Sequence, residues 1–254
     1  MVKLPVAAVS TIHGARPARA TDGIAEGTLS ELVELLDQAG VLTPSFSALV
    51  SGRVSGVDGL EQPALLALCD DRLEQVAAWS AHLAYAGFTS LVACAADRIG
   101  EDDRLSRSDA PLLSGHGVVV ASRGCNGAPL VDLPVEELRR ELRDSRQRLS
   151  KMAGYAVRIL MPQPTSTGRA VDGLVLEEAR RAGYHLVLRP GRAVGEAEAS
   201  DRQPLRVLPY RRIRTDDSPQ HLRDWIVGRR LARGVARLRG LVDQSRRFLQ
   251  VDWS

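Results

Sequence analysis

Along this chain, short unbroken apolar runs take turns with longer stretches in which apolar positions recur at three- and four-residue spacing. The runs suit buried strands, and the longer stretches suit helices packed by one face. Residues 3–12, with Val6-Ala-Ala-Val9, predict a first strand. Leu29, Leu32, Val33, Leu35 and Leu36 predict a helix over 29–39, with Thr28 or Ser30 as its cap and Gly40 as its stop. A turn and short helix follow over 43–50. Ala64-Leu-Leu-Ala-Leu-Cys69 predicts a central strand, followed by a helix at about 72–86 that Gly87 stops.

Further strands are predicted at 89–95, 117–121, 157–161 and 185–188. Residues 97–110 read as a charged loop and 191–203 as another. The most regular helix spans 134–152, with Pro134 near its start, Glu136 and Glu137 in its first turn and Gly154 beyond its end. A helix over 172–182 ends at Gly183. Strands alternating with helices through short connections predict a parallel sheet or a barrel of βα units. Unbroken apolar strands agree, because a parallel sheet is covered on both faces.

Ser218-Pro219 is a helix start. After it, Leu231, Val235, Leu238, Val242 and Leu249 form an apolar stripe surrounded by arginines. We divide the chain into a domain at 1–227 and an Arg-rich amphipathic helix at 228–254. That helix either docks on the domain with a solvated basic face or meets a partner or an anionic surface. The basic residues lack interleaved aromatics, which disfavours nucleic acid.

Composition narrows the class. The chain has 254 residues, 44% of them hydrophobic, and a formal net charge of +3. That suits a soluble globular protein with a sizeable core. Lys3 and Lys151 are the only lysines, so arginine carries the positive charge. Coding bias explains this; binding of phosphate or acidic polymers is the functional alternative. The three cysteines show no CxxC spacing, which argues against disulfides or a zinc ribbon. No apolar stretch approaches the ~20 residues of a membrane span, and the apolar segment Leu4–Val9 is too short for a signal peptide. A cytoplasmic location is expected.

The candidate chemistry lies at Asp70 and Asp71, where the central apolar run ends in two adjacent carboxylates. Ligands in α/β folds gather at the carboxyl ends of strands. The competing reading has Asp70 capping the next helix and Asp71 in its first turn.

In order along the chain, several segments resemble the polysaccharide deacetylases, carbohydrate esterase family 4. Thr11-Ile12-His13 resembles a pair after the first strand, and Leu68-Cys69-Asp70-Asp71-Arg72 resembles T-F-D-D-G. Ser114-Gly115-His116-Gly117 resembles G-H-E-I-G, and Glu141-Leu142-x-x-Ser145 resembles E-L-x-x-S. Arg158–Pro164 resembles R-x-x-P-Y-G, Ala179-x-x-Ala182-Gly183-Tyr184 resembles A-x-x-A-G-Y, and Leu208–Ile213 resembles the closing L-P-R-I strand. The resemblance implies a distorted, partly open (β/α) barrel. It also implies a metal-dependent deacetylase of N-acetylated sugars, with Asp70 as general base and Asp71 as metal ligand.

This sequence departs from that pattern. Counting on from His116, the metal-binding H-x-x-x-H positions fall on Ala121 and Cys125, with Arg123 between them. Alanine cannot ligate, and a nearby cation opposes metal binding. Arg72, in place of the motif's glycine, is a cation within reach of Asp70 or Asp71. The primary expectation is a deacetylase-like protein without the metal site and with no cofactor. It would bind a glycan or amino-sugar, with Arg72, Arg123 and Arg158 as ligand-binding candidates, or partner an active enzyme or a second copy of itself. The alternative is an active hydrolase of a carbon–nitrogen bond, with a divalent metal such as zinc on Asp71, Cys125 and His13. A third reading is an interaction module acting through the C-terminal helix.

Overall fold

The computed structural model describes residues 6–9, 12–13, 23–52, 64–191 and 205–227, with only the backbone of 12–13. The C-terminal Arg-rich helix, the loop at 191–203 beyond Gly191 and the side chain of His13 therefore lie outside the described residues.

Nine strands and six α-helices are labelled here in chain order. β1 (Val6–Val9), β2 (Ile12–His13) and β3 (Ile24–Ala25) lead into α1 (Glu26–Gln38) and the short α2 (Phe46–Val50). β4 (Leu65–Leu68), α3 (Leu73–Tyr85) and β5 (Ser90–Cys94) form the next unit. α4 (Ala110–Gly115), β6 (Val118–Ser122) and α5 (Val135–Ala153) follow. The described part is completed by β7 (Ile159–Leu160), α6 (Gly173–Ala182), β8 (Leu186–Pro190) and β9 (Arg206–Arg212). Residues 219–227 are helical, and the Ser218 hydroxyl accepts from the His221 N–H at 3.2 Å.

Seven strands close into a parallel barrel in the order β1-β4-β5-β6-β7-β8-β9, with β9 returning to pair with β1. Its thinnest seam joins β6 to β7, where Ser122 and Leu160 form the one registered pair. There the Tyr155 hydroxyl accepts the Val120 N–H at 2.8 Å, standing in for a strand partner. The barrel is thus closed among the described strands, with its weakest pairing at this seam.

Alternation along the strands sorts the core into two layers. Val6, Ala8, Leu65, Ala67, Leu91, Ala93, Val119 and Ala121 fill the barrel interior. The other parity, including Leu66, Leu68, Val92, Cys94, Val118 and Val120, packs against the helices. α2 plugs the amino-terminal end of the barrel, where Phe46, Leu49 and Val50 join the interior cluster. Gly52, at φ +66°, lets the chain turn away beneath His185: a Cβ there would lie 2.6 Å from the His185 Cβ.

Three expectations need correction. α1 starts at Glu26 on an Ala25 N-cap, so neither Thr28 nor Ser30 caps it. The chain enters α1 directly from β3, and Glu26 places an acid in the first turn. Ser30 instead lies inside the helix, bonded to the Glu26 carbonyl at 3.1 Å and to His82 Nδ1 at 3.2 Å. Asp70 and Asp71 do not cap α3 either: its N-cap is Arg72, with no side-chain cap. Finally, residues read as loop up to 110 lead into α4, a helix the sequence reading lacked; Pro111 near its start was the available signal.

Candidate functional site

The carboxyl ends of the seven strands form one mouth of the barrel. β4 delivers Cys69, Asp70 and Asp71 to it, and the chain continues through Arg72 into α3. The carboxylates stand together but are each held by an arginine. Arg72 grips Asp70 with Nε at 3.1 and 3.0 Å from the two oxygens and Nη2 at 2.6 Å. The Arg72 backbone N–H adds a bond to Asp70 Oδ1 at 3.1 Å. Arg104 Nη1 sits 2.5 Å from Asp71 Oδ1 and 3.6 Å from Asp70 Oδ1, bridging the pair. Asp71 Oδ2 accepts the Ala95 N–H from the end of β5 at 3.0 Å.

Arg104 reaches this position because its loop is tied down. The Leu73 N–H bonds the Asp103 carbonyl at 2.8 Å, and Arg72 and Arg104 form an isolated antiparallel bridge. Arg104 Nε is buried without a hydrogen bond, and Asp103 Oδ1, 3.3 Å away, supplies only charge. The sequence reading missed Arg104, which lies 33 residues from Asp71; the cluster of charges in 97–110 was the only hint.

Burial alone would raise the Asp70 carboxyl, but the Arg72 hydrogen bonds and the charges of Arg72 and Arg104 hold it below the usual aspartate range. A carboxyl depressed in the fold adds stability above its unfolded value, which is lost as pH falls through the lower folded value. Chemical denaturation of wild type against Asp70→Asn is therefore expected to show a gap above about pH 4. The gap should close as the pH is lowered further.

The other expected site residues fall in different places. Arg123 follows β6 on the inward row of Val119 and Ala121. Its Nη1 donates to the Cys69 carbonyl and its Nη2 to Gln163 Oε1. Cys125 turns the other way, toward α5: its N–H donates to Glu141 Oε1 at 2.6 Å, and its Sγ lies 3.6 Å from the Glu141 carbonyl. Burial and then the Glu141 carboxylate push the Cys125 thiol up to about 12. Ala121 lies inside the barrel wall while Cys125 faces a helix, so these two positions do not converge. Arg158 precedes β7 and stands at the opposite, amino-terminal end, where its Nη1 approaches the His185 ring nitrogens at 3.3 and 3.2 Å. It is not part of the carboxylate cluster.

The resemblance implies a divalent metal at Asp71, and the described residues do not fit one. Both Asp71 oxygens already bind donors, and Asp70 is clamped by Arg72. A divalent ion about 4 Å from a guanidinium would be repelled by about 8 kcal/mol at an effective dielectric of about 20. Among the described residues no group of three or more His, Cys, Asp or Glu is placed to hold a metal ion.

A second feature of the mouth is a cavity of about 250 Å³ beside the carboxylates. The inward rows of four strands end in it: Cys69 after β4, Arg123 after β6, Met161 and Gln163 after β7, and Tyr210 and Arg212 on β9. Gln163, Tyr210 and Arg212 were missed by the sequence reading; carrying the strand alternation past each strand end would have found them.

Fold and site together define a parallel βα barrel with a carboxylate pair at its carboxyl mouth. Solved structures of the same architecture include deacetylases. The Streptococcus pyogenes deacetylase PplD, in complex with acetate, is 18% identical, with a TM-score of 0.72 over 87% of this chain and 96% of that one. A polysaccharide deacetylase from Bacillus cereus is 16% identical, with a TM-score of 0.72 over 89% of this chain and 69% of that one. IcaB from Ammonifex degensii is 15% identical, with a TM-score of 0.66 over 89% and 100%. The chain has the polysaccharide-deacetylase fold. No family model and no curated protein sequence matches it. Among the described residues no helix is long and apolar enough to cross a membrane.

Proposed function

We propose that this chain is a polysaccharide-deacetylase-like protein that binds a glycan or amino-sugar at the barrel mouth and does not hydrolyse it through a metal. The observation that carries this reading is the arginine clamp on both carboxylates. Arg104 bridges Asp71 and Asp70, and Arg72 holds Asp70 in a forked pair. A general base needs an accessible carboxylate, and a metal ligand needs an oxygen turned to the ion. Here oxygens of both carboxylates are taken by guanidinium donors instead.

The test is acetate release from N-acetylated chitooligosaccharides in the presence of Zn²⁺, Co²⁺ or Ni²⁺. The reading expects none above background for wild type and for Asp71→Ala alike. Metal-dependent release that Asp71→Ala abolishes would overturn it in favour of an active carbon–nitrogen hydrolase.

A further inference from the structure

We infer that the cavity at the barrel mouth binds the oxyanion of a small acidic molecule, seated against Arg123; this rests on the ligand-binding reading above and names the chemistry of its ligand. Arg123 is the central observation. Its described hydrogen bonds run to the Cys69 carbonyl and to Gln163 Oε1, both neutral acceptors. Among the described residues it makes no ion pair, whereas Arg72 and Arg104 beside it both do. A guanidinium has five N–H donors in a planar fork, and these two bonds leave donors unused. A partly buried cation with only neutral partners is stabilised by an oxyanion, through hydrogen bonds stronger than neutral ones.

The surroundings suit that partner. None of the described residues lining the cavity is acidic. Arg212 lines the same space together with the Tyr210 phenol. With its Oε1 facing Arg123, Gln163 keeps its amide nitrogen as a further donor. The nearby carboxylates do not compete for Arg123, because Asp70 and Asp71 are matched by Arg72 and Arg104.

Size sets the class of ligand. At about 250 Å³, the cavity falls just below the roughly 300–1,000 Å³ of pockets that hold drug-sized ligands. It suits a small acid or the acidic end of a larger molecule, either the carboxylate of an acidic sugar or a phosphate.

Calorimetric titration of the full chain at constant ionic strength tests this with D-glucuronate, inorganic phosphate and N-acetyl-D-glucosamine. The expected result is saturable binding of at least one of the two anions. It should weaken by about tenfold or more in Arg123→Gln, as for loss of a charge-assisted pair. Tighter binding of glucuronate identifies the acidic-sugar source; tighter binding of phosphate identifies the phosphate source. If Arg123→Gln does not melt cooperatively, Arg123→Lys carries the comparison, since it keeps the charge but loses the fork. Saturation by neither anion, or wild-type affinity in the variant, overturns the inference. Binding of N-acetyl-D-glucosamine alone also overturns it, yet leaves the glycan-binding reading standing.

Discussion

Replacing Arg104 with leucine is expected to destabilise the fold by about 3–5 kcal/mol at neutral pH, the cost of leaving a buried carboxylate without its partner. The Asp71 side chain is 8% exposed and that of Arg104 17%, so water cannot replace the lost ion pair well. Asp71 would keep only the Ala95 N–H. For a domain of this size the loss corresponds to a fall of about 6–20 °C in Tm. Adding Asp71→Asn to Arg104→Leu should recover much of the stability, because the unpaired charge is then gone. The exposed pair Arg143–Asp144 serves as the control. Arg143→Ala should change stability by no more than about 1 kcal/mol, as expected of surface pairs. Equal small effects at Arg104 and Arg143 would mean that the clamp is not buried in solution.

Trp79→Ala is expected to cost a similar amount, about 3–5 kcal/mol, for a different reason. Trp79 is fully buried on α3, and its Nε1 donates to the Ser90 hydroxyl on β5 at 3.0 Å. It therefore fixes α3 against the barrel, and the N-cap of α3 is Arg72, which holds Asp70. Truncation leaves a cavity and an unsatisfied buried hydroxyl together. Trp79→Phe should fill most of the volume and lose the hydrogen bond, costing about 1–3 kcal/mol. Denaturant melts of the two variants separate packing from hydrogen bonding. A truncation cost below about 1 kcal/mol would show that α3 is held elsewhere.

Much of the barrel was legible because its signals are local. The unbroken run at 64–69 and the periodic helix at 134–152 report burial on two faces and on one. The observed α5 differs from the expected helix by a single residue at each end. Gly154, at φ +78°, ends it in the left-handed conformation glycine favours. The short β7 was less legible, since Tyr155 replaces a ladder partner through its hydroxyl, a tertiary contact without local periodicity.

The site was legible only in part. Asp70, Asp71 and Arg72 are adjacent in sequence, so their pairing could be foreseen. Arg104 could not, since its loop is placed by backbone bonds from the Leu73 N–H to the Asp103 carbonyl and from the Leu105 N–H to the Asp71 carbonyl. Arg158 was grouped with the site on motif likeness, yet strand polarity puts it at the other end of the barrel, beneath His185. Cys125 lies after the same strand as Arg123, but Glu141 draws its backbone outward to α5.

If arginines, and not a metal, neutralise the carboxylate pair, as proposed above, calorimetric titration of wild type and Asp71→Ala with Zn²⁺, Co²⁺ and Ni²⁺, together with elemental analysis of the purified protein, is expected to show no stoichiometric metal and no difference between the two proteins. One equivalent of tightly bound metal in wild type, lost in Asp71→Ala, would contradict it.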